Sequence, residues 1–198
     1  MLLSFSCTKP SLVSSSWKQV GQNINGDLAS DQFGHSTSLS ADGMTLAIGA
    51  IGSKGYVRVF RREDNGLNWV QLGQTINGEG GRFGWSVSLS ANGNALVIGA
   101  PFNRGNGVQR GQARVYTMDA SRPSWFQFGQ SINGTSNNDN HGWSVSLSAD
   151  GTIMAVGAYR SDYTGRFNSG SVAVYQKEEG ISLNWSQMGQ TLYGENIN

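Results

Sequence analysis

One eighteen-residue segment recurs three times with no insertion or deletion. It reads FGHSTSLSADGMTLAIGA from Phe33, FGWSVSLSANGNALVIGA from Phe83 and HGWSVSLSADGTIMAVGA from His141. A chain with such a period is assembled from copies of one small unit, and its fold is set by how the copies stack. Two further markers keep the same period. WKQVGQNING, WVQLGQTING, WFQFGQSING and WSQMGQTLYG begin at Trp17, Trp69, Trp125 and Trp185, spaced 52, 56 and 60 residues apart. Between them lie GYVRVF from Gly55, GQARVY from Gly111 and GSVAVY from Gly170.

Each unit therefore holds four short strand candidates. In SVSLS, Val87 and Leu89 alternate with serines, the period-two pattern of a half-buried strand. Asp42-Gly43, Asn92-Gly93 and Asp150-Gly151 follow at once and predict tight hairpins of type I′, which take positive φ at both central residues. The next strand, LAIGA, LVIGA or MAVGA, is apolar on both faces, as a strand between covered neighbours would be. A third strand alternates through the valines of the middle marker, and the Trp segment reads as the outermost. A helical reading fails, because glycine and β-branched residues recur in every segment and no apolar stripe at 3.6 spacing extends past one turn.

Four antiparallel strands repeated every 50–60 or so residues are the pattern of a propeller blade. The fold class is all-β: a partial β-propeller of three four-stranded antiparallel blades plus an extra N-terminal outer strand. The repeats span about 33–78, 83–134 and 141–194 within an incomplete propeller over 17–198. Residues 1–16 are expected to be a disordered Ser-rich leader, with a degenerate lipoprotein signal ending at Cys7 as the alternative. Closed propellers need roughly four to eight blades. Three therefore imply missing blades, supplied by a longer chain of which this is a fragment, by self-association, or not at all in an open stack.

Composition narrows the function. The chain has 28 glycines, only 14% charged residues and a net charge of +1, so no basic patch for nucleic acid or anionic membrane is expected. No apolar run approaches the ~20 residues of a membrane span. One cysteine supplies neither a disulfide framework nor a metal cluster.

The Phe-Gly pairs at 33–34 and 83–84, with Gly-Ala at 49–50 and 99–100, resemble the FG-GAP repeat of integrin α-subunit propellers. In the third unit His141 stands for the Phe, while Gly142 and Gly157-Ala158 remain. The resemblance implies an extracellular or surface module for cell adhesion or other protein binding. It also implies a calcium loop rich in aspartates, from which this chain departs. The matching positions are Ser38, Ser40, Asp42 and Gly43; Ser88, Ser90, Asn92 and Gly93; and Ser146, Ser148, Asp150 and Gly151. One carboxylate or none per loop is too few for Ca²⁺, so no metal or other cofactor is expected.

In a repeat protein the variable loops carry recognition. Those after the Gly-Ala pair hold Arg104 and Arg110 in the second unit and Arg160, Asp162, Tyr163 and Arg166 in the third; the loop before His141 holds Asp139. These are the candidate binding residues for a protein or carbohydrate ligand, and the resemblance implies that both loop families share one rim. No nucleophile elbow accompanies His35 or His141, so no enzyme activity is expected. The rival readings are a purely structural array and a propeller glycoside hydrolase, the latter requiring two carboxylates about 5–10 Å apart. Sequons at Asn133 and Asn184 add only a faint hint of secretion.

Overall fold

A computed structural model describes residues 16–63, 68–104, 108–119, 121, 123–164, 167–178, 180 and 183–194. Among them the chain forms strands and no helix. The first blade comprises β1 (Ser36–Leu39), β2 (Thr45–Ala50), β3 (Tyr56–Arg62) and an outer strand in two pieces, β4 (Trp69–Gln71) and β5 (Ile76–Asn77). The second holds β6 (Ser86–Leu89), β7 (Ala95–Ala100), β8 (Gln112–Asp119) and β9 (Ser124–Asn133). The third holds β10 (His141–Leu147), β11 (Ile153–Ala158), β12 (Ser171–Lys177), β13 (Trp185–Gln187) and β14 (Leu192–Tyr193). Each blade is an antiparallel meander in chain order. The register repeats as well, with Ser36 opposite Gly49, Ser86 opposite Gly99 and Ser144 opposite Gly157.

The hairpins differ from the type I′ expectation. Gly43, Gly93 and Gly151 have φ of 67°, 69° and 75°, but the preceding Asp or Asn is not left-handed. Gly43 N–H donates to the Ser40 carbonyl, closing a turn whose glycine then sits as a bulge. A side-chain bond explains the choice. Asp42 Oδ1 accepts from Ser40 Oγ at 2.5 Å and from Met44 N–H at 2.9 Å, so the Ser-x-Asp-Gly segment ties its own turn. Asp150 repeats this with Ser148 Oγ and Thr152 N–H, and these bonds hold its carboxyl down at a pKa of about 2.

Two seams join the three blades. Across the first, Val57 and Val59 pack with Val87, Leu89, Leu96, Ile98 and Trp125. Across the second, Val97, Val115 and Phe128 pack with Leu147, Met154, Val156 and Trp185. A four-stranded sheet has two faces and cannot shelter both alone, and these seams are where the apolar repeat positions leave water.

The seams also carry a repeated polar pattern. Ser36 Oγ donates to the Gly84 carbonyl at 2.7 Å, and Ser86 Oγ to the Gly142 carbonyl at 2.9 Å. Leu89 N–H donates to Ser38 Oγ at 2.9 Å and Leu147 N–H to Ser88 Oγ at 3.1 Å. The Trp125 ring N–H donates to the Leu72 carbonyl, and the Trp185 ring N–H to the Phe128 carbonyl. Gln74 and Gln130 clasp the backbones of these same tryptophans from both sides. The serines that looked like the plain outer phase of an alternating strand are thus inter-blade bonds.

The leading segment 17–26 forms no ladder. It nevertheless occupies an outer-strand position, because Trp69 donates its ring N–H to Val20 and exchanges two bonds with Gln22. The expected leader over 1–16 lies outside the described residues except at its last position.

Candidate functional site: a rim cavity made by the third repeat

The loops before and after each eighteen-residue segment meet in all three units. Gly52 N–H donates to the Asp31 carbonyl, Phe102 N–H to Gly81 and Arg160 N–H to Asp139. The residue before each Phe-Gly or His-Gly pair is forced left-handed, with φ of 53° at Gln32 and 55° at both Arg82 and Asn140. The glycine of the pair is left-handed too, at 92°, 89° and 86°, a conformation that favours glycine strongly. That sharp double bend aims the residue three before the pair's glycine back toward its own blade. The residues there are Asp31, Gly81 and Asp139.

Corresponding positions in the three blades are filled differently. In the first, Tyr56 Oη donates to Asp31 Oδ2 at 2.9 Å, and its ring stacks on Phe33 with centroids 6.1 Å apart. The tyrosine plugs the space between the acid and the blade. In the second, Gly81 supplies no acid and Gln112 takes the tyrosine's place. In the third the acid returns as Asp139, Phe33 becomes His141, and the tyrosine becomes Ser171. The plug is gone. A cavity of about 110 Å³ remains, lined among others by Asp139, His141, Ser161, Asp162, Ser171 and Tyr175.

This cavity is polar and incompletely satisfied. Asp139 is 5% exposed, and its Oδ2 accepts from Ser136 N–H at 2.8 Å and Thr135 Oγ1 at 3.4 Å. Burial raises its carboxyl above the ordinary range, against the bonds from Ser136 and Thr135 that lower it, and the charge of Asp162 adds to the rise. His141 packs edge-on against Tyr175 at 6.3 Å, and burial drops its pKa to about 4, so its imidazole is neutral at pH 7. Buried side-chain atoms without a hydrogen-bond partner include His141 Nε2, Ser161 Oγ and Asn140 Oδ1. Of these, His141 Nε2 and Ser161 Oγ belong to residues that line the cavity, whereas Arg62 Nε and Thr117 Oγ1, also unpartnered, lie on other strands. Unsatisfied buried polar atoms in a native fold call for a ligand or a solvent molecule.

The neutral histidine has a consequence for acid stability. Its folded pKa of about 4 lies below its unfolded value of 6.5. The unfolded chain therefore binds the proton first, and the histidine's contribution to stability falls as pH drops from about 6.5 to about 4, then levels. The loss is about 3 kcal/mol at 1.36 kcal/mol per unit. His141→Phe, which places there the residue of the other two repeats, is expected to abolish this loss. Urea midpoints between pH 7 and 4 check it, and an unchanged pH slope in the variant would refute the assignment.

The sequence-selected residues fall into separate places. Asp139 and Asp162 line the one cavity, and Asp162 Oδ1 also accepts from Asn168 N–H at 2.6 Å. Tyr163 stacks on Tyr193, another lining residue, at 4.1 Å. Arg110 holds Asn137 Oδ1 at 3.2 Å, and its charge acts on Asp139. Arg160 is exposed and lies over the Tyr159 ring. Arg104 sits elsewhere, in a second hollow with Glu79 and Arg114, which pair at 2.7 Å. Arg166 lies outside the described residues.

His141 has no nucleophile elbow in the sequence, and Ser161 and Ser171 carry no signal there. Comparing the acid, aromatic and tyrosine positions across repeats would have found the vacancy. Nor does the sequence announce a row of rings running from blade to blade. His35 lies 4.6 Å from Trp85, Trp85 4.6 Å from Trp143, and Trp143 4.2 Å from Tyr159, beside the cavity loop.

A family model described as the FG-GAP repeat matches residues 78–116 and 133–175. These are FG-GAP repeats. No curated protein matches the chain in sequence. Among solved structures, Sqt1 of Saccharomyces cerevisiae is similar with a TM-score of 0.53 and 15% identity, over 82% of this chain and 35% of its own. The periplasmic gluconolactonase of Pseudomonas aeruginosa gives 0.51 and 20%, over 82% and 42%. A "putative 6-phosphogluconolactonase" of Bacteroides uniformis gives 0.51 and 14%, over 80% and 40%. At these identities the likeness establishes the fold, a partial β-propeller, and the chain spans about two-fifths of these propellers' lengths.

One expectation is corrected by these likenesses. The chain was expected to be a non-catalytic interaction module and not an enzyme, yet the solved structures similar to it include a periplasmic gluconolactonase and two proteins named for 6-phosphogluconolactonase, which point to an enzyme. Asp139 and Asp162 come from different strand connections and meet only in the folded chain, so no local motif announces them.

Proposed function

We propose that the cavity beneath Asp139 is the acid–base centre of a hydrolase acting on a sugar-derived lactone or a related ester. The observation that carries this reading is an unplugged acid, found at this position in the third repeat, since the corresponding hollow of the second repeat is lined by Gly81 in place of the acid. An acid kept from the first repeat loses its tyrosine plug, and a neutral histidine and two hydroxyls are left facing the opening. The lactonases among the similar propellers support the substrate class.

The chemistry follows from the pKa values. Asp139, poised above the ordinary carboxylate range, takes a proton from water as the water oxygen adds to the acyl carbon. Neutral His141 donates a hydrogen bond from Nε2 to the carbonyl oxygen as it becomes negative, a role that a neutral imidazole fills in other enzymes. Collapse of the adduct breaks the acyl C–O bond. The proton on Asp139 passes to the departing oxygen, leaving a hydroxy acid and the free carboxylate. The row from Trp85 through Trp143 to Tyr159 offers ring faces of the kind on which sugar rings stack. A location outside the cytoplasm is part of the same reading, supported by the FG-GAP repeats and by a periplasmic neighbour.

The test is proton release from gluconolactone and related sugar lactones. The wild-type chain is expected to hydrolyse at least one of them, with an acid limb above the usual carboxylate range. Asp139→Asn is expected to lower kcat by about 10²-fold or more. Ser171→Tyr, which restores the plug of the first blade, is expected to abolish turnover with no loss of melting temperature. Turnover that survives Ser171→Tyr would place the chemistry elsewhere, and an inert wild-type chain would end the proposal.

A further inference from the structure

The serine bonds that fasten one blade to the next each occur twice among the described residues, and the third instance stands open. Ser144 and Ser146 follow Ser36 and Ser86, and Ser38 and Ser88, in the series, but both are exposed. A Cβ on Gly49 or Gly99 would meet the next blade's glycine carbonyl at 2.1 Å, whereas one on Gly157 would meet only Ser144 of its own strand pair. Val57 and Ala113 are fully buried, yet their counterpart Val172 is 39% exposed. Leu192 and Tyr193 are exposed beside it, and together these residues line a hollow of about 480 Å³. The opposite end of the chain mirrors this. Leu39 is 58% exposed, while Leu89 and Leu147 in the same repeat position are 7% and 8% exposed.

The two open faces are complements. The trailing face of the third blade lacks a glycine carbonyl for Ser144, an amide for Ser146 and an apolar side chain over Val172. The leading face of the first blade presents Gly34, Leu39 N–H and the Leu39 side chain at the matching positions. We propose that the trailing face of one copy receives the leading face of a second copy, and that two copies close head to tail into a six-bladed ring.

Six lies within the roughly four to eight blades at which propellers close. A two-fold axis along the ring makes both contacts identical and leaves no face open. One exchange accompanies closure. Val20 and Gln22 now hold Trp69 where Leu72 and Gln74 hold Trp125. Met188 and Gln190 are the corresponding residues of the last outer strand. In the ring they take over those three bonds from the other copy, so the leading segment is displaced at no net loss of hydrogen bonds.

Light scattering and sedimentation of the full chain, from dilute to concentrated, test the ring. The mass is expected to rise to twice 21.2 kDa and stop there. Leu39→Asp alters one face, where the side chain is exposed, and Gly157→Val the other, where the new side chain meets Ser144 of its own strand pair and no neighbouring blade. Either variant alone is expected to weaken the dimer at least tenfold while its melting temperature in dilute solution stays within a few degrees of wild type. A dimer that survives one variant would mean that a single face pairs with itself, which overturns the arrangement. Mass that climbs without limit would mean open filaments and also overturns it. A wild-type chain that stays at 21.2 kDa throughout would leave the face to a blade of a longer polypeptide and reject the second copy.

Discussion

Gly99→Ala is expected to be among the most damaging single substitutions in the chain, although it adds one methyl group to a strand. The new Cβ would lie 2.1 Å from the Gly142 carbonyl oxygen and 3.0 Å from its carbon. Both are backbone atoms of the neighbouring blade and cannot rotate away. Relief requires the second and third blades to part, which lengthens the Ser86–Gly142 bond and loosens the packing around Met154 and Trp185. The cost is about 3 kcal/mol, the upper end for forcing a methyl into a packed seam, and corresponds to roughly 10 °C in Tm for a domain of this size. Gly157→Ala is the internal control. The same methyl at the same repeat position meets only Ser144 Oγ, which can change rotamer. It is expected to shift Tm by no more than about 2 °C. Thermal melts of the two variants, side by side in dilute solution, decide whether the seam or the strand itself needs the glycine.

Trp185→Ala is expected to cost about 3–5 kcal/mol, the range for removing a large buried aromatic. Trp185 is 4% exposed and meets Phe128 edge to face at 6.3 Å. Its ring N–H donates across the seam to the Phe128 carbonyl, and its backbone exchanges two bonds with Gln130. The side chain is at once the apolar filler and the polar latch of the second seam. Trp17 begins the same motif but is fully exposed, so Trp17→Ala is expected to leave Tm unchanged. Equal effects of the two substitutions would mean that tryptophan serves the motif locally rather than through the adjoining blade.

The fold was legible because a period survives translation into structure. Strand positions, the apolar middle strand and the Trp-bearing outer strand all follow from repeated alternation, and the glycines of the Phe-Gly pairs from the left-handed backbone there. The hairpin type was misread. Asp-Gly suits a type I′ turn by itself, but the serine two residues earlier bonds the aspartate and selects a type I turn with a bulge instead. The inter-blade role of the serines was not legible either, since a polar residue in alternating phase reads as solvent-facing whatever it touches.

The cavity was half visible. Asp139 and Asp162 stood out as loop acids, but their meeting depends on two connections packed against each other, which no local motif encodes. The decisive residue, Ser171, carries no chemical signal of its own. It matters only as the absence of a tyrosine that the first repeat retains, and that signal lies in the difference between copies rather than in their likeness.

The account rests on blades that shelter each other through a repeated seam, and the amides of Leu39, Leu89 and Leu147 test it most directly. In dilute solution, hydrogen exchange measured residue by residue is expected to show Leu89 and Leu147 strongly protected, since their N–H groups donate to Ser38 and Ser88 of the adjoining blade. Leu39, the same residue with no blade before it, is expected to exchange orders of magnitude faster. Comparable rapid exchange at all three amides would mean that the blades do not dock, and the cavity and the ring would fall with the seams.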